Sequence, residues 1–335
     1  MNLNELKKKL NELVDPSNQL SIGETSSIKH IEYDTTADVV HLTIAMGRLG
    51  GEKEKFFRRE IARVVKIDCG YSGLKLQLDE SKIFGSIVQK PINFIGIISG
   101  KGGVGKSSVA ANIAYRMLKR GIKVGLIDAD VYGSSLPTIL EVPHQRPYYT
   151  PDKKITPINK DGLELISTEF FTEPGQPVLW RGGMLNSMIT HFFYDVDWHE
   201  DTQYVIVDFP PGTGDITLDI KSIIPQAQMI IVTTPHPSAS HVAIKAGHAT
   251  KTLGHEILGV VENMAYYINP VNQAKEYIFG QGGGEMVAKG LESELIASIP
   301  IGQPKHHRDL FEIDEEIGKI YDEITDFIIY NSQNK

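Results

Sequence analysis

The run Gly100-Lys101-Gly102-Gly103-Val104-Gly105-Lys106-Ser107 constrains the fold more than any other part of the chain. It matches the pattern G-x-x-x-x-G-K-[ST], and both of its flanks suit that pattern. Before it, Ile92-Asn93-Phe94-Ile95-Gly96-Ile97-Ile98 reads as a buried parallel strand. After it, Val109, Ile113, Met117 and Leu118 recur at helical spacing until Gly121 stops the helix. A strand, a glycine turn and a helix N-terminus place several backbone N–H groups around one anion. The spacing therefore predicts a phosphate-binding loop made of Gly100, Lys101, Gly102, Gly103, Val104, Gly105, Lys106, Ser107 and Ser108. Lys106 would reach the β- and γ-phosphates of a nucleoside triphosphate, and the Ser107 hydroxyl would ligate Mg²⁺.

At 335 residues the chain exceeds one typical domain, so two domains of unequal size are expected. Apolar residues at 41% leave ample material for a core. No apolar stretch approaches the length that spans a bilayer, and Met1-Asn2-Leu3-Asn4 begins no secretory signal. The single cysteine, Cys69, excludes an intramolecular disulfide and fits a reducing cytoplasm. A net charge of −8 argues against polyanion binding by the whole surface.

Residues 1–80 read as a small α+β domain in the order α-β-β-α-β. Leu3, Leu6, Leu10 and Leu13 form a helical stripe ended by Asp15-Pro16. Strands are expected at Ile28 to Tyr33 and Val39 to Ala45, a charged helix over Glu52 to Lys66, and a third strand through Leu74, Leu76 and Leu78. Residues 81–91 read as a linker, and residues 92–335 as an α/β domain, a parallel sheet with helices on both faces. Its strands are expected at Ile92 to Ile98, Val124 to Ile127, Leu163 to Ile166, Tyr204 to Val207, Met229 to Val232 and Ile257 to Val261. Pro143 to Pro157 reads as a surface loop, and Asp314 to Ile329 as a final amphipathic helix.

Ligands of open parallel sheets sit outside the carboxyl ends of the strands, so aspartates there carry the most weight. Ile127-Asp128-Ala129-Asp130 ends one strand and Val207-Asp208-Phe209-Pro210-Pro211-Gly212 ends another. Asp208 would hold Mg²⁺ through a coordinated water, Asp130 would orient the attacking water, and Asp128 would support the metal shell through water. Pro210-Pro211-Gly212-Thr213-Gly214-Asp215 can hold two arrangements, and Asp215 would cap the helix that follows. His306-His307 reads as surface loop, and His236 and His241 as capping or packing groups.

The stretch KGGVGKS, Lys101 to Ser107, resembles the deviant Walker A loop of the MinD/ParA/nitrogenase-iron-protein group. That resemblance implies that Lys101 crosses a dimer interface and touches the partner's phosphates, as an arginine finger does. Further blocks resemble the Mrp/ApbC family of P-loop ATPases, known as iron–sulfur cluster carriers. They are GLIDADVYGSSLP (Gly125 to Pro137), VLWRGGML (Val178 to Leu185), IVDFPPGTGD (Ile206 to Asp215), VVENMAYY (Val260 to Tyr267), IFGQGGGE (Ile278 to Glu285) and IPIG (Ile299 to Gly302). The resemblance implies slow ATP hydrolysis with Mg²⁺, a homodimer bridged by ATP and delivery of a cluster to apoproteins; without an apolar span, no membrane partner is expected. It also implies that Asn263 recognises adenine.

One departure bears on the cargo. Where the family's carriers have Cys-Pro-x-Cys, this chain has Asn269-Pro270-Val271-Asn272, and amide oxygens do not replace thiolates on an iron–sulfur cluster. Loss of those cysteines also resembles a regulatory branch of the family, the SalA-type transcription regulators, for which DNA would be the partner. The best basic candidate for that role, the helix bearing Lys53, Lys55, Arg58, Arg59, Arg63 and Lys66, reads as a solvated charged face because Glu52, Glu54 and Glu60 are interspersed.

Overall fold

The computed structural model describes residues 3–16, 21–23, 27–35, 37–46, 51–80, 92–131, 133–173, 183–212, 224 and 227–333. The chain divides into two compact units, residues 1–91 and 92–335. Residues 81–91, read as a linker, lie outside the described residues, as do Asp215 and residues 178–182 of the VLWRGGML block.

In the first unit, α1 (Leu3–Asn11) buries Leu6 and Leu10, as its leucine spacing requires. β1 (Ile28–Asp34) pairs antiparallel with β2 (Val39–Met46), and β2 pairs parallel with β3 (Gly73–Glu80). A parallel pair needs a crossover, which α2 (Gly51–Arg63) supplies. Leu42, Ile44, Phe57, Ile61 and Val65 fill the core between helix and sheet. The helix expected to run to Lys66 ends as an α-helix at Arg63 and continues as a π-helical turn, Val64–Asp68. That wider turn, closed by the Cys69 N–H on the Val64 carbonyl at 3.0 Å, brings two consecutive valines into the core. On α2 the basic groups are partly spent on their own helix, Arg58 on Glu54 at 2.7 Å and Arg63 on Glu60 at 3.0 Å.

The second unit is built on eight strands: β4 (Asn93–Ser99), β5 (Val124–Asp128), β6 (Ile158–Lys160), β7 (Leu163–Ser167), β8 (Tyr204–Asp208), β9 (Gln228–Thr233), β10 (Glu256–Glu262) and β13 (Leu295–Ser298). They lie in the order β13-β10-β9-β4-β8-β5-β7-β6. All neighbours are parallel except the edge strand β6, which runs antiparallel to β7. The six strands expected from sequence are all present. β6 and β13 are additions, edge strands of three and four residues, too short to carry a run of alternation for a sequence reading to detect. Pro143 to Pro157 is not wholly surface, because Ile155 is buried and bridges to both Tyr149 and Val196.

α3 (Lys106–Lys119) lies on the sheet through Val109, Ile113 and Met117, all fully buried. The last helix, α8 (Glu316–Gln333), joins the same core through Ile317, Ile324 and Ile328. Each such side chain contributes roughly 1.5–3 kcal/mol by leaving water. Charges then tie α3 to α8: Arg116 to Asp322 at 3.2 Å, and Arg120 to Asp322 at 2.6 Å and to Asp326 at 2.5 Å. Just before α8, Glu312 accepts the Tyr115 hydroxyl at 2.5 Å and pairs with His307 at 3.0 Å and Lys119 at 3.2 Å. His306 pairs with Asp314 at 3.2 Å, so both adjacent histidines are structural groups.

The Tyr115 hydrogen bond, then His307 and Lys119, pull the Glu312 carboxyl down from 4.5 to about 2. A carboxyl held below its unfolded value stabilises the fold above that value, and the stabilisation fades as pH falls from 4.5 towards 2. Urea denaturation of the wild type is therefore expected to lose about 1–2 kcal/mol from this group across that window. Glu312→Gln should be less stable near neutrality and show a shallower acid limb. Parallel pH profiles for the two proteins would refute the assignment.

Candidate nucleotide-binding site

The end of β4 and the start of α3 are separated by the glycine loop, which turns through left-handed backbone at Gly103 (φ +82°) and Gly105 (φ +83°). A side chain at Gly105 would be strained there and would also meet Asn263 Nδ2 at 2.1 Å. One at Gly100 would strike the backbone of α6 (Pro237–Thr252) at Val242, 2.3 Å away. His236 caps that helix, its side chain accepting the Ser238 N–H. The loop closes a cavity of about 630 Å³, lined by the loop itself together with Asp130, Gly133, Ser135, Ile139, Pro210 and Pro211. The Gly212 N–H donates to the Ser99 carbonyl at 2.8 Å, which fastens the loop after β8 to the base of the glycine loop.

Sheet register brings the expected carboxylates to one level, with Asp208 beside both Ile97 and Asp128. The buried Lys106 ammonium lies 2.5 Å from Asp208 Oδ1 and 3.6 Å from Asp130 Oδ2. Burial raises the Asp208 pKa, and the Lys106 charge opposes that rise. The second oxygen, Asp208 Oδ2, is buried with no hydrogen-bond partner among the described residues. An unsatisfied buried carboxylate oxygen is costly, and this one lies beside the loop that holds Ser107. A hydroxyl and a carboxylate are hard oxygen donors of the kind Mg²⁺ takes alongside phosphate oxygens. Among the described residues there is no group of three or more His, Cys, Asp or Glu that could hold a metal by itself. The donor set fits a magnesium ion that shares its shell with phosphate oxygens.

Asp128, expected to support the metal shell, is engaged differently. Its Oδ2 accepts from the Ser134 hydroxyl at 2.7 Å, the Ser167 hydroxyl at 3.2 Å and the Leu136 N–H at 3.3 Å, and its Oδ1 from the Asp130 N–H at 3.3 Å. Burial, and then the charge of Asp208, push its carboxyl up to about 7. Lys101 is exposed at the cavity, and its ammonium pairs with no carboxylate among the described residues. Asn263 is buried behind the loop and donates one Nδ2 hydrogen to the Val104 carbonyl at 2.9 Å, which leaves its other Nδ2 hydrogen and its oxygen outside that contact.

The run Asn269-Pro270-Val271-Asn272 forms the tip of a hairpin between β11 (Tyr267–Ile268) and β12 (Lys275–Glu276). Asn269 Oδ1 accepts the Val271 N–H at 2.9 Å, and Asn272 Oδ1 accepts the Ala274 N–H at 3.0 Å. Both amides close turns on their own backbone, work to which asparagine is suited and which uses no metal. Cys69 is half-buried in the first unit, and burial raises its thiol pKa, which disfavours the thiolate a metal needs.

Two contributors were not found by sequence reasoning. Ser134 lies inside the quoted DADVYGSSLP stretch without an assigned role, and Ser167 had no signal except its place at the end of β7, opposite Asp128. Alignment of strand ends would have found Ser167; nothing local would.

A glycine loop at the carboxyl end of a central parallel strand, feeding a helix whose first lysine meets a strand-end aspartate, defines a P-loop NTPase. The comparisons agree. The family model described as ParA, NUBPL iron-transfer P-loop NTPase, matches residues 90–324. An iron-sulfur cluster carrier protein of Bacillus subtilis (strain 168) is 36% identical across 96% of this chain and 96% of its own length. A nucleotide-binding protein from Archaeoglobus fulgidus, solved in complex with ADP, superposes with a TM-score of 0.51 at 28% identity, covering 71% of this chain and 88% of its own. The Pyrococcus furiosus cell division ATPase MinD shares the fold, with a TM-score of 0.50 at 20% identity over 71% of this chain and 99% of its own. The chain belongs to the iron-transfer P-loop NTPase family that includes the Mrp/ApbC cluster carriers. Among the described residues no helix is long and apolar enough to cross a membrane.

Proposed function

We propose that this protein is a slow Mg²⁺-dependent ATPase that works as a nucleotide switch between two copies of the chain, and that any iron–sulfur cluster it carries is weakly held. The observation that carries the ATPase reading is the buried Lys106–Asp208 pair beside the glycine loop. Ser107 and Asp208 would hold a magnesium ion, which would supply neutralisation of the phosphate charge. Lys106 holds its place against Asp208 until a phosphate offers a stronger partner, Asp130 accepts and orients the attacking water from the cavity wall, and Asn263 addresses adenine. Lys101, exposed and unpaired with any described carboxylate, is free to reach a second copy's phosphates. That role would make the homodimer a requirement for turnover rather than a by-product of binding.

For the cargo, membership of the carrier family supports delivery of a cluster to apoproteins, and the chemistry of the hairpin opposes a firmly bound one. Two copies bring two Cys69 thiols, one each, whereas an all-cysteine cluster takes four. The DNA-binding alternative gains nothing from α2, where Arg58 and Arg63 are paired with glutamates of the same helix. Anaerobic reconstitution with iron and sulfide, without added small thiols, followed by metal counting, tests the cargo. Wild type and Cys69→Ala should both hold substoichiometric, easily lost iron. A stable stoichiometric cluster in Cys69→Ala would overturn this reading of the hairpin.

A further inference from the structure

Between β5 and the short helix α4 (Leu136–Ile139), the chain makes an excursion that carries Asp130 to the cavity wall. Asp128 fastens both ends of it. Its Oδ1 holds the start, through the Asp130 N–H, and its Oδ2 holds the finish, through the Ser134 hydroxyl and the Leu136 N–H. Asp128 itself is fully buried, and its rotamer is fixed from the next strand by the Ser167 hydroxyl, whose register partner it is. Ser134 and Ser167 also lie 2.8 Å apart, and Ser167 Oγ accepts the Glu169 N–H at 3.2 Å, leaving its proton for Asp128 or Ser134. Asp130 takes its own orientation from this turn, its Oδ1 accepting the Gly133 N–H at 3.2 Å and its Oδ2 facing Lys106 at 3.6 Å. Neither serine is placed at the reacting atoms. Each instead supplies one of the four donors that fix Asp128, the other two being the Asp130 and Leu136 N–H groups of the turn itself.

We propose that Ser134 and Ser167 are positioning residues which, through Asp128, hold the turn that presents Asp130 to the nucleotide. This inference rests on the reading of Asp130 as the group that orients the attacking water. A carboxylate displaced by a fraction of an ångström still leaves the phosphates gripped by the glycine loop, so turnover and affinity should separate.

The test is Ser134→Ala, Ser167→Ala and the pair, with Ser167→Thr as the conservative variant that keeps the hydroxyl on an extended backbone. Equilibrium binding of Mg-ATP, phosphate release and the thermal midpoint are measured on each. The expected result is ATP affinity within about threefold of wild type, kcat lower by roughly 10- to 100-fold in the pair, and most of it recovered in Ser167→Thr. Wild-type kcat in the folded pair overturns the proposal, and so does a folded Ser167→Thr that turns over no faster than Ser167→Ala. Asp130→Ala, run alongside, separates the two layers. If it keeps turnover, the role given to Asp130 fails and this inference with it; if it loses turnover while the serine pair does not, only the inference fails. Should the pair not fold, Ser167→Ala and Ser167→Thr alone decide the matter by the same comparison.

Discussion

Lys106→Ala is expected to bind ATP at least about 100-fold more weakly than the wild type, a loss on the order of 3 kcal/mol or more. Among the described residues no other lysine is buried at the cavity, and Lys101 stands exposed at its rim. The substitution has a second effect that the geometry makes separable. Asp208 is fully buried, and removing its cation leaves a buried carboxylate uncompensated, so the thermal midpoint should fall as well. Adding Asp208→Asn to Lys106→Ala removes the stranded charge. That double variant should recover much of the midpoint while leaving ATP affinity lost. Equilibrium binding and thermal unfolding of the three proteins check this, and wild-type affinity in Lys106→Ala would contradict the loop assignment.

Asp130→Ala should do the opposite. The Lys106–Asp208 pair and the glycine loop remain, so Mg-ATP affinity is expected to stay within a few-fold of wild type. Turnover should fall by about 10²-fold or more, the usual contribution of a group that positions or deprotonates the nucleophile. Because such a variant accumulates the ATP-bound state, it should also sediment as a dimer with Mg-ATP and as a monomer without it. Lys101→Ala on the Asp130→Ala background should return the ATP-bound protein towards monomer. Sedimentation unchanged by ATP at micromolar concentration would count against the trans role of Lys101, and unreduced turnover would remove Asp130 from the mechanism.

The features that sequence made legible are those written locally. The glycine loop is a contiguous pattern between a strand and a helix, and the strand-end aspartates follow from continuous apolar runs in β5 and β8. What was not legible depends on register. Ser167 meets Asp128 only because β7 lies beside β5, a pairing between residues 39 apart in the chain. β13 was hidden because four half-exposed residues at a sheet edge carry no periodic signal. Asn263 shows the same limit in another form. Its residue type suits adenine recognition, yet its amide is turned onto the Val104 carbonyl, a contact 159 residues away in sequence.

The hairpin illustrates the reverse case, in which a departure from a pattern carried information. Sequence marks Asn269 and Asn272 as missing ligands, and the structure adds what they do instead, closing two turns through their own side chains. Restoring cysteine at either position would therefore remove a turn-closing hydrogen bond as well as add a thiol.

Phosphate release from Mg-ATP by the purified wild type, beside Lys106→Ala and Asp130→Ala, tests the central claim most directly. The expected result is slow release by the wild type that stops when Mg²⁺ is chelated, with none above background in either variant. Release that persists undiminished in Lys106→Ala, or a wild type that binds Mg-ATP and never hydrolyses it, would contradict the account.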